Sequence, residues 1–383
     1  MAGREFFYQL GAMADIKSTC LNKFHLRNYC CFSDTFFFCE IIMFLNFGIL
    51  VVAMDEETRS IIDTRNMYKD MQNFPKQIEE ATLLGKEISF DDVNRIFVAG
   101  MGGSALAGDI LKSYMDDSFF PVKVIKGYTL PQYVDENSLV FVISYSGNTE
   151  ETVECYRQAI RKNSKVVALG AGGKLEEIAK KLNRPFIKVK SGMEPRMGYA
   201  LTFIPLLNVL YNSGVIENPE KDIKSTIKAM KKEVFEEKAK ELAKKLDGKI
   251  PLIYSSSKLE IVSYKWKINF NENAKIHAFY NVYSEMNHNE LSGFENAIGD
   301  FYVIILQDEE DNRRIKKRFK ITTEQIKDKG YNVTLINITG ECLLSRMFSA
   351  FRIGDFTAYY LAMHYKQDPS PHEMIDTLKK KMS

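Results

Sequence analysis

Short β-branched runs alternate with longer amphipathic stretches over most of this chain, an order that predicts parallel sheets covered by helices. The segments 95–99, 122–125, 140–143, 165–170 and 186–189 read as strands. Helical spacing occupies 106–115, 150–162 and 175–182, and a long apolar helix at 199–211 closes the first half. Ahead of the strands, 55–84 carries Met67, Met71, Phe74, Ile78 and Ala81 at helical spacing, which predicts a leader helix packed on the first domain.

The second half repeats the pattern. A highly charged segment, 219–245, reads as a linking helix or a pair of helices. Strand 250–256 then runs into a serine-rich turn and a helix. Strand 301–306, a charged loop holding Asp308 to Arg314, strand 333–336 and a helix over 347–365 complete the half. The expected fold is α/β with two domains, each a mainly parallel sheet flanked by helices. Their bounds are 54–215 with the leader helix, 216–245 as a helical linker, and 246–383 with a C-terminal segment. The two halves agree in element order rather than residue identity, so internal duplication is an expectation.

Residues 1–53 differ from everything after them. The apolar run 36–53 approaches the length of a membrane span, but Glu40 and Asn46 interrupt it. It also lies too deep in the chain for a usual signal peptide. Met54-Asp55-Glu56-Glu57 then supplies an acidic, helix-starting opening. The expectation is that 1–53 is an upstream translation artefact, with a membrane anchor or a partner-covered helix as alternatives. No membrane association is expected unless 36–53 is genuinely translated.

Length, 383 residues, suits two ordinary domains, and a formal charge of +2 gives no long-range attraction to nucleic acid. Four of the six cysteines fall in the first forty residues, which leaves Cys155 and Cys342 far apart. There is no zinc-type pairing, and the main body reads as a reduced, cytoplasmic protein without structural disulfides.

The candidate chemistry begins at Ser144-Tyr145-Ser146-Gly147-Asn148-Thr149, between a strand and a helix. Hydroxyls and backbone N–H groups gathered at the positive end of a helix form a seat for an anion, most simply a phosphate. An ordinary Ser/Thr helix cap is the alternative. Gly100-Met101-Gly102-Gly103-Ser104 offers a second such turn, with the Ser104 hydroxyl beside a helix start. Its spacing lacks the later glycine of a dinucleotide fingerprint, so a nicotinamide cofactor gains little support.

Of the five histidines, none forms a metal-binding set. His288 stands among polar neighbours in Asn287-His288-Asn289-Glu290, and Glu272 lies at a helix end in Asn271-Glu272-Asn273-Ala274-Lys275. A carboxylate in a closed cleft can shuttle protons, and imidazoles work near neutrality. A surface helix terminus and a solvent-facing loop are the alternatives for these two residues. No kinase or Walker lysine accompanies the anion seat, so the phosphate reads as a handle that orients a small substrate.

Together with Met101-Gly102-Gly103-Ser104 and Glu194-Pro195-Arg196, these segments resemble the archaeal-type bifunctional phosphoglucose/phosphomannose isomerases of the sugar isomerase (SIS) superfamily. The likeness covers roughly residues 55–383. It implies two SIS-type domains, a homodimer, and cofactor-free, metal-free interconversion of glucose 6-phosphate or mannose 6-phosphate with fructose 6-phosphate. It also implies that Ser144, Ser146 and Thr149 hold the phosphate with Ser104 nearby. Glu272 is then the base, and Arg196 stabilises developing negative charge. His288 assists ring opening from the neighbouring subunit. Ser370, where the family has a threonine, provides the small hydroxyl linked to use of both sugars. A phosphosugar sensor without catalysis, or an isomerase for another phosphosugar, are the alternatives.

Overall fold

The computed structural model describes residues 56–382, so the expectations for 1–53 lie outside the described residues. Three short helices lead the described chain: α1 (Glu56–Ile62), α2 (Met67–Gln72) and α3 (Phe74–Ala81). They replace the single leader helix expected. Asn66 takes a left-handed conformation, φ 55°, before α2, and Pro75 stands in the first turn of α3. The apolar stripe survives these breaks, with Met67, Met71, Phe74, Ile78 and Ala81 all buried.

The first sheet holds β1 (Arg95–Ala99), β2 (Val122–Ile125), β3 (Ser138–Ile143), β4 (Lys165–Gly170) and β5 (Phe186–Lys188), all parallel, in the order β2-β1-β3-β4-β5. Parallel neighbours need crossovers, which are supplied by α4 (Leu106–Tyr114), α5 (Glu150–Arg161) and α6 (Gly173–Lys181). Every position of β3 is buried, which is why its sequence is an unbroken apolar run rather than an alternation.

α7 (Tyr199–Asn212), α8 (Glu220–Met230) and α9 (Val234–Lys245) lead to the second sheet. β6 (Ile250–Ser256), α10 (Glu260–Glu272), β7 (Phe279–Tyr283), β8 (Phe301–Asp308), α11 (Arg313–Asp328), β9 (Asn332–Ile338), α12 (Leu343–His364) and α13 (Glu373–Met382) follow. The strand order is β7-β6-β8-β9, again parallel throughout. It repeats β2-β1-β3-β4 with the fifth strand missing. Hence the protein consists of two α/β domains, each a mainly parallel sheet flanked by helices.

Two elements of the second half are not where the apolar pattern put them. β7 is an edge strand with one buried residue in five, so it lacks the apolar run that marks a central strand. The charged loop expected from Asp308 to Arg314 is shorter: Asp308 ends β8, and Asn312 caps α11 by accepting from the Arg314 N–H at 2.8 Å.

α7 and α12 lie in the interior between the sheets. Tyr199 meets Phe351 with ring centroids 5.4 Å apart, and Phe203 meets Phe348 at 6.0 Å. Phe74 of α3 packs on Tyr199 at 4.7 Å and on Phe348 at 5.7 Å. The leader therefore rests on helices of both halves, not on the first domain alone. α10 is locked to this layer one and two turns ahead of Glu272, at Asn269 and Lys265. Lys265 and Asp355 form a fully buried ion pair, Asn269 donates to Asp355 at 2.7 Å, and Tyr199 donates to it at 3.2 Å.

Candidate active site

Ser144 follows β3 at the carboxyl end of the first sheet, where open α/β sheets place their ligands. Its buried hydroxyl donates to Thr149 Oγ1 at 2.9 Å, so Thr149 does not cap α5. No side chain caps that helix, which leaves its first N–H groups without a side-chain acceptor. The turn between depends on Gly147, held at φ 71°. A Cβ there would stand 1.6 Å from the Gly172 carbonyl oxygen. Ser146 is exposed at the mouth of the loop and Thr149 is half-buried.

The first glycine-rich turn joins this loop. Ser104 is buried, and its Oγ accepts from the Tyr145 N–H at 3.0 Å. Gly103 is needed for a chain-to-chain approach: a Cβ would lie 2.5 Å from the Arg196 nitrogen. The segments around Ser104, Ser144 and Arg196 thus form one wall.

Arg196 is the centre of the polar cluster, with a side chain 1% exposed. Its Nε donates to Asn273 Oδ1 at 2.6 Å and its Nη2 to the Pro369 carbonyl at 2.7 Å. Its Nη1 lies 3.1 Å from Glu194 Oε2, 3.1 Å from Glu272 Oε2 and 2.6 Å from His372 Nε2. Burial disfavours the guanidinium charge, and the Glu272 and Glu194 carboxylates offset part of that cost. Burial also pushes the Glu194 carboxyl up. The charges of Arg196 and Arg65 oppose it and draw the group below the usual carboxylate range.

Glu272 ends α10 and remains a quarter exposed. Lys275, in a left-handed turn at φ 60°, ties the Glu272 carbonyl to the Pro371 carbonyl at 2.5 and 2.7 Å. That tether brings the segment 368–372 over Arg196. Ser370, within it, is fully buried, and its hydroxyl has no hydrogen-bond partner.

The structure therefore brings Arg196 and Glu272 together, sets Ser370 one residue from an Arg196 contact, and gathers Ser104, Ser144, Ser146 and Thr149 along the adjoining wall. His288 is elsewhere. It ends the 3-10 turn Glu285–His288, is exposed, and its side chain has no hydrogen bond or ion pair with another described residue. Glu194 and Asn273 stand inside the quoted motifs without an assigned role, and His372 is a site residue outside every motif. The available signal was a rare histidine beside two prolines, Pro369-Ser370-Pro371-His372. Among the described residues, no group of three or more His, Cys, Asp or Glu could hold a metal ion, and no helix is long and apolar enough to cross a membrane. A separate cleft of about 580 Å³, lined by Asp109, Lys112, Lys126, Lys258 and Tyr264 among others, contains none of the candidate residues.

Asp70 of α2 feels the same field. Burial first, then the charge of Asp63, pushes its carboxyl up to about 6, with Lys190 opposing and Glu194 adding. A carboxyl raised on folding lends stability at low pH, and that contribution is lost as pH rises from about 4 through about 6. Asp70→Asn should therefore stabilise the protein at pH 8 by on the order of 1 kcal/mol in urea unfolding. The gain should shrink at pH 5; an equal gain at both values would contradict this account.

A family model described as the SIS domain matches residues 89–185, and one described as the bacterial phospho-glucose isomerase C-terminal SIS domain matches residues 235–382. The chain is 40% identical over 335 residues to a bifunctional phosphoglucose/phosphomannose isomerase of Caldicellulosiruptor bescii, covering 83% of this chain and 99% of the relative. It is 34% identical over 318 residues to a protein of the same description from Thermoplasma acidophilum, covering 80% and 97%. The fold also matches the C-terminal domain of glucosamine-fructose-6-phosphate aminotransferase from Francisella tularensis, with TM-score 0.64, 15% identity and coverage of 80% and 97%. The sequence relatives are bacterial and archaeal alike, so the expected likeness widens beyond the archaeal type. With SIS family models matched in both halves and relatives matched over nearly their whole length, the chain belongs to the bifunctional phosphoglucose/phosphomannose isomerase family of the SIS superfamily.

Proposed function

We propose that this chain is a cofactor-independent aldose–ketose isomerase interconverting glucose 6-phosphate or mannose 6-phosphate with fructose 6-phosphate. The observation that carries the reading is Glu272 held 3.1 Å from a buried Arg196, whose backbone abuts the Gly103 turn of the anion-binding wall. A proton acceptor, a fixed positive charge and a phosphate seat then lie on one continuous surface.

In this reading Ser144, Ser146 and Thr149 hold the phosphate with the free N–H groups of α5, and Ser104 lines the seat. Glu272 removes the C2 proton of the open aldose. The C–H electron pair becomes the C1–C2 double bond of a cis-enediol(ate), and negative charge grows on O1. Arg196 stabilises that charge from a preorganised position. Glu272 returns the proton to C1 while the O2 hydroxyl proton passes to O1, which gives the ketose. Glucose and mannose phosphates differ only at C2, and the enediol erases the difference. One base serves both if the C1–C2 end can rotate, and the small Ser370 leaves room for that. His288 would assist ring opening from the neighbouring subunit of a homodimer. No cofactor, metal or nucleic acid enters the scheme, and the cytoplasm is its expected location.

The test supplies each aldose phosphate separately, with a chelator present, and follows fructose 6-phosphate by a coupled assay. Turnover of both is the expected result. Turnover of glucose 6-phosphate alone would narrow the specificity and direct attention to Ser370. Binding without turnover of either would sink the isomerase reading in favour of a phosphosugar sensor.

A further inference from the structure

Arg196 Nη1 carries two hydrogens and faces three acceptors. Glu194 Oε2 at 3.1 Å and His372 Nε2 at 2.6 Å take hydrogen bonds, whereas Glu272 Oε2 at 3.1 Å is in charge contact only. Of the other three N–H groups, that of Nε goes to Asn273 and one of Nη2 to Pro369. At 2.6 Å from an N–H that must donate, His372 Nε2 has to be a bare lone pair, because arginine has no acceptor. Its distances of 3.6 Å to Glu194 and 3.5 Å to Glu272 are too long for Nε2–H donation of ordinary strength.

We propose that His372 is a positioning residue of this site, a neutral imidazole that draws one Arg196 N–H to itself and so leaves the Glu272 carboxylate free to take the substrate's proton. The inference rests on the isomerase reading above. Without an acceptor at this place, the Glu272 carboxylate, 3.1 Å from the same nitrogen, would shift to accept the freed N–H and be weakened as a base. With a proton on Nε2 the imidazole could no longer accept from Arg196. It would instead donate to one of the two carboxylates within 3.6 Å. Either change ties up the base.

The charged surroundings come from every packed segment. Arg196 and Glu194 precede α7, Glu272 ends α10, Lys275 lies in the next turn, and Asp368 lies on the overlying segment. Arg65 adds a cation through Glu194 at 2.8 Å. His372 itself is fixed by the Pro369 and Pro371 contacts and by its own carbonyl, which accepts from the Asp376 N–H at 2.8 Å.

The test compares the protein with His372→Gln and His372→Leu. Glutamine keeps an acceptor, whereas leucine keeps bulk alone. Leucine should lower kcat by about 10–100-fold with KM changed less than threefold, and glutamine should restore kcat to within about threefold. Equal damage by both variants, or none by leucine, overturns the proposal. The independent readout is the imidazole ¹⁵N spectrum of the unmodified protein at pH 8, assigned by the signal missing from His372→Gln. A neutral ring with its proton on Nδ1 is expected, and a proton on Nε2 overturns the assignment. If no phosphosugar turns over, the isomerase reading falls while this spectrum still decides the state of His372.

Discussion

Glu272→Gln should abolish most turnover, lowering kcat by about 10³–10⁴-fold while KM for the aldose phosphate changes less than threefold. The amide fits the same space at the end of α10 and keeps the contact with Arg196 through its oxygen. It cannot accept the C2 proton. The phosphate seat is built from other segments, so binding should survive. The discriminating measurement is exchange of the C2 proton with deuterated solvent, followed by NMR independently of ketose formation. Loss of both exchange and turnover identifies the missing step as proton abstraction. Continued exchange at the original rate would remove Glu272 from the role of base and move attention to Glu194, the other carboxylate at Arg196.

Much of this arrangement was legible in the sequence because it is written in local chemistry. Both runs of strands before tight turns, and the buried helix at Tyr199, follow from apolar periodicity, and the structure places them within a residue or two. The Ser144–Thr149 loop was legible because glycine at 147 and hydroxyls at fixed offsets mean the same thing in any context. What escaped depends on tertiary neighbours. β7 hides because an edge strand need not be apolar. The break in the leader depends on Asn66 entering a left-handed conformation, which the sequence permits but does not require. Glu194 stands two residues before Arg196, but His372 lies 176 residues beyond it, and nothing local to His372 says that it reaches the same guanidinium. Their meeting is set by the Lys275 tether and by α10, whose register the buried Lys265–Asp355 pair holds.

Arg196→Met should be damaging twice over, lowering kcat by about 10²–10³-fold and destabilising the fold by about 3–5 kcal/mol. The catalytic loss follows from removing the one guanidinium beside Glu272. The stability loss follows from what stays behind: Glu194 and Glu272 lose their shared cation, and Asn273 Oδ1 and the Pro369 carbonyl lose their donors. The two effects separate by pH and by a second variant. Glu194, whose carboxyl is held below its ordinary 4.5 by this cation, contributes stability that is present above pH about 4.5 and lost as pH falls through its lowered value. Deleting the cation removes much of that contribution, so the gap between the two proteins should be widest near neutrality and close as the pH drops below 4.5. Arg196→Lys keeps a positive charge but cannot make the three-way fork, so it should recover part of the stability and little of the turnover. Urea unfolding at several pH values reads the first effect and steady-state kinetics the second. A stability gap independent of pH would mean that Arg196 holds the segments together by packing and neutral hydrogen bonds alone. Full turnover by the methionine variant would show that enediolate charge is stabilised elsewhere.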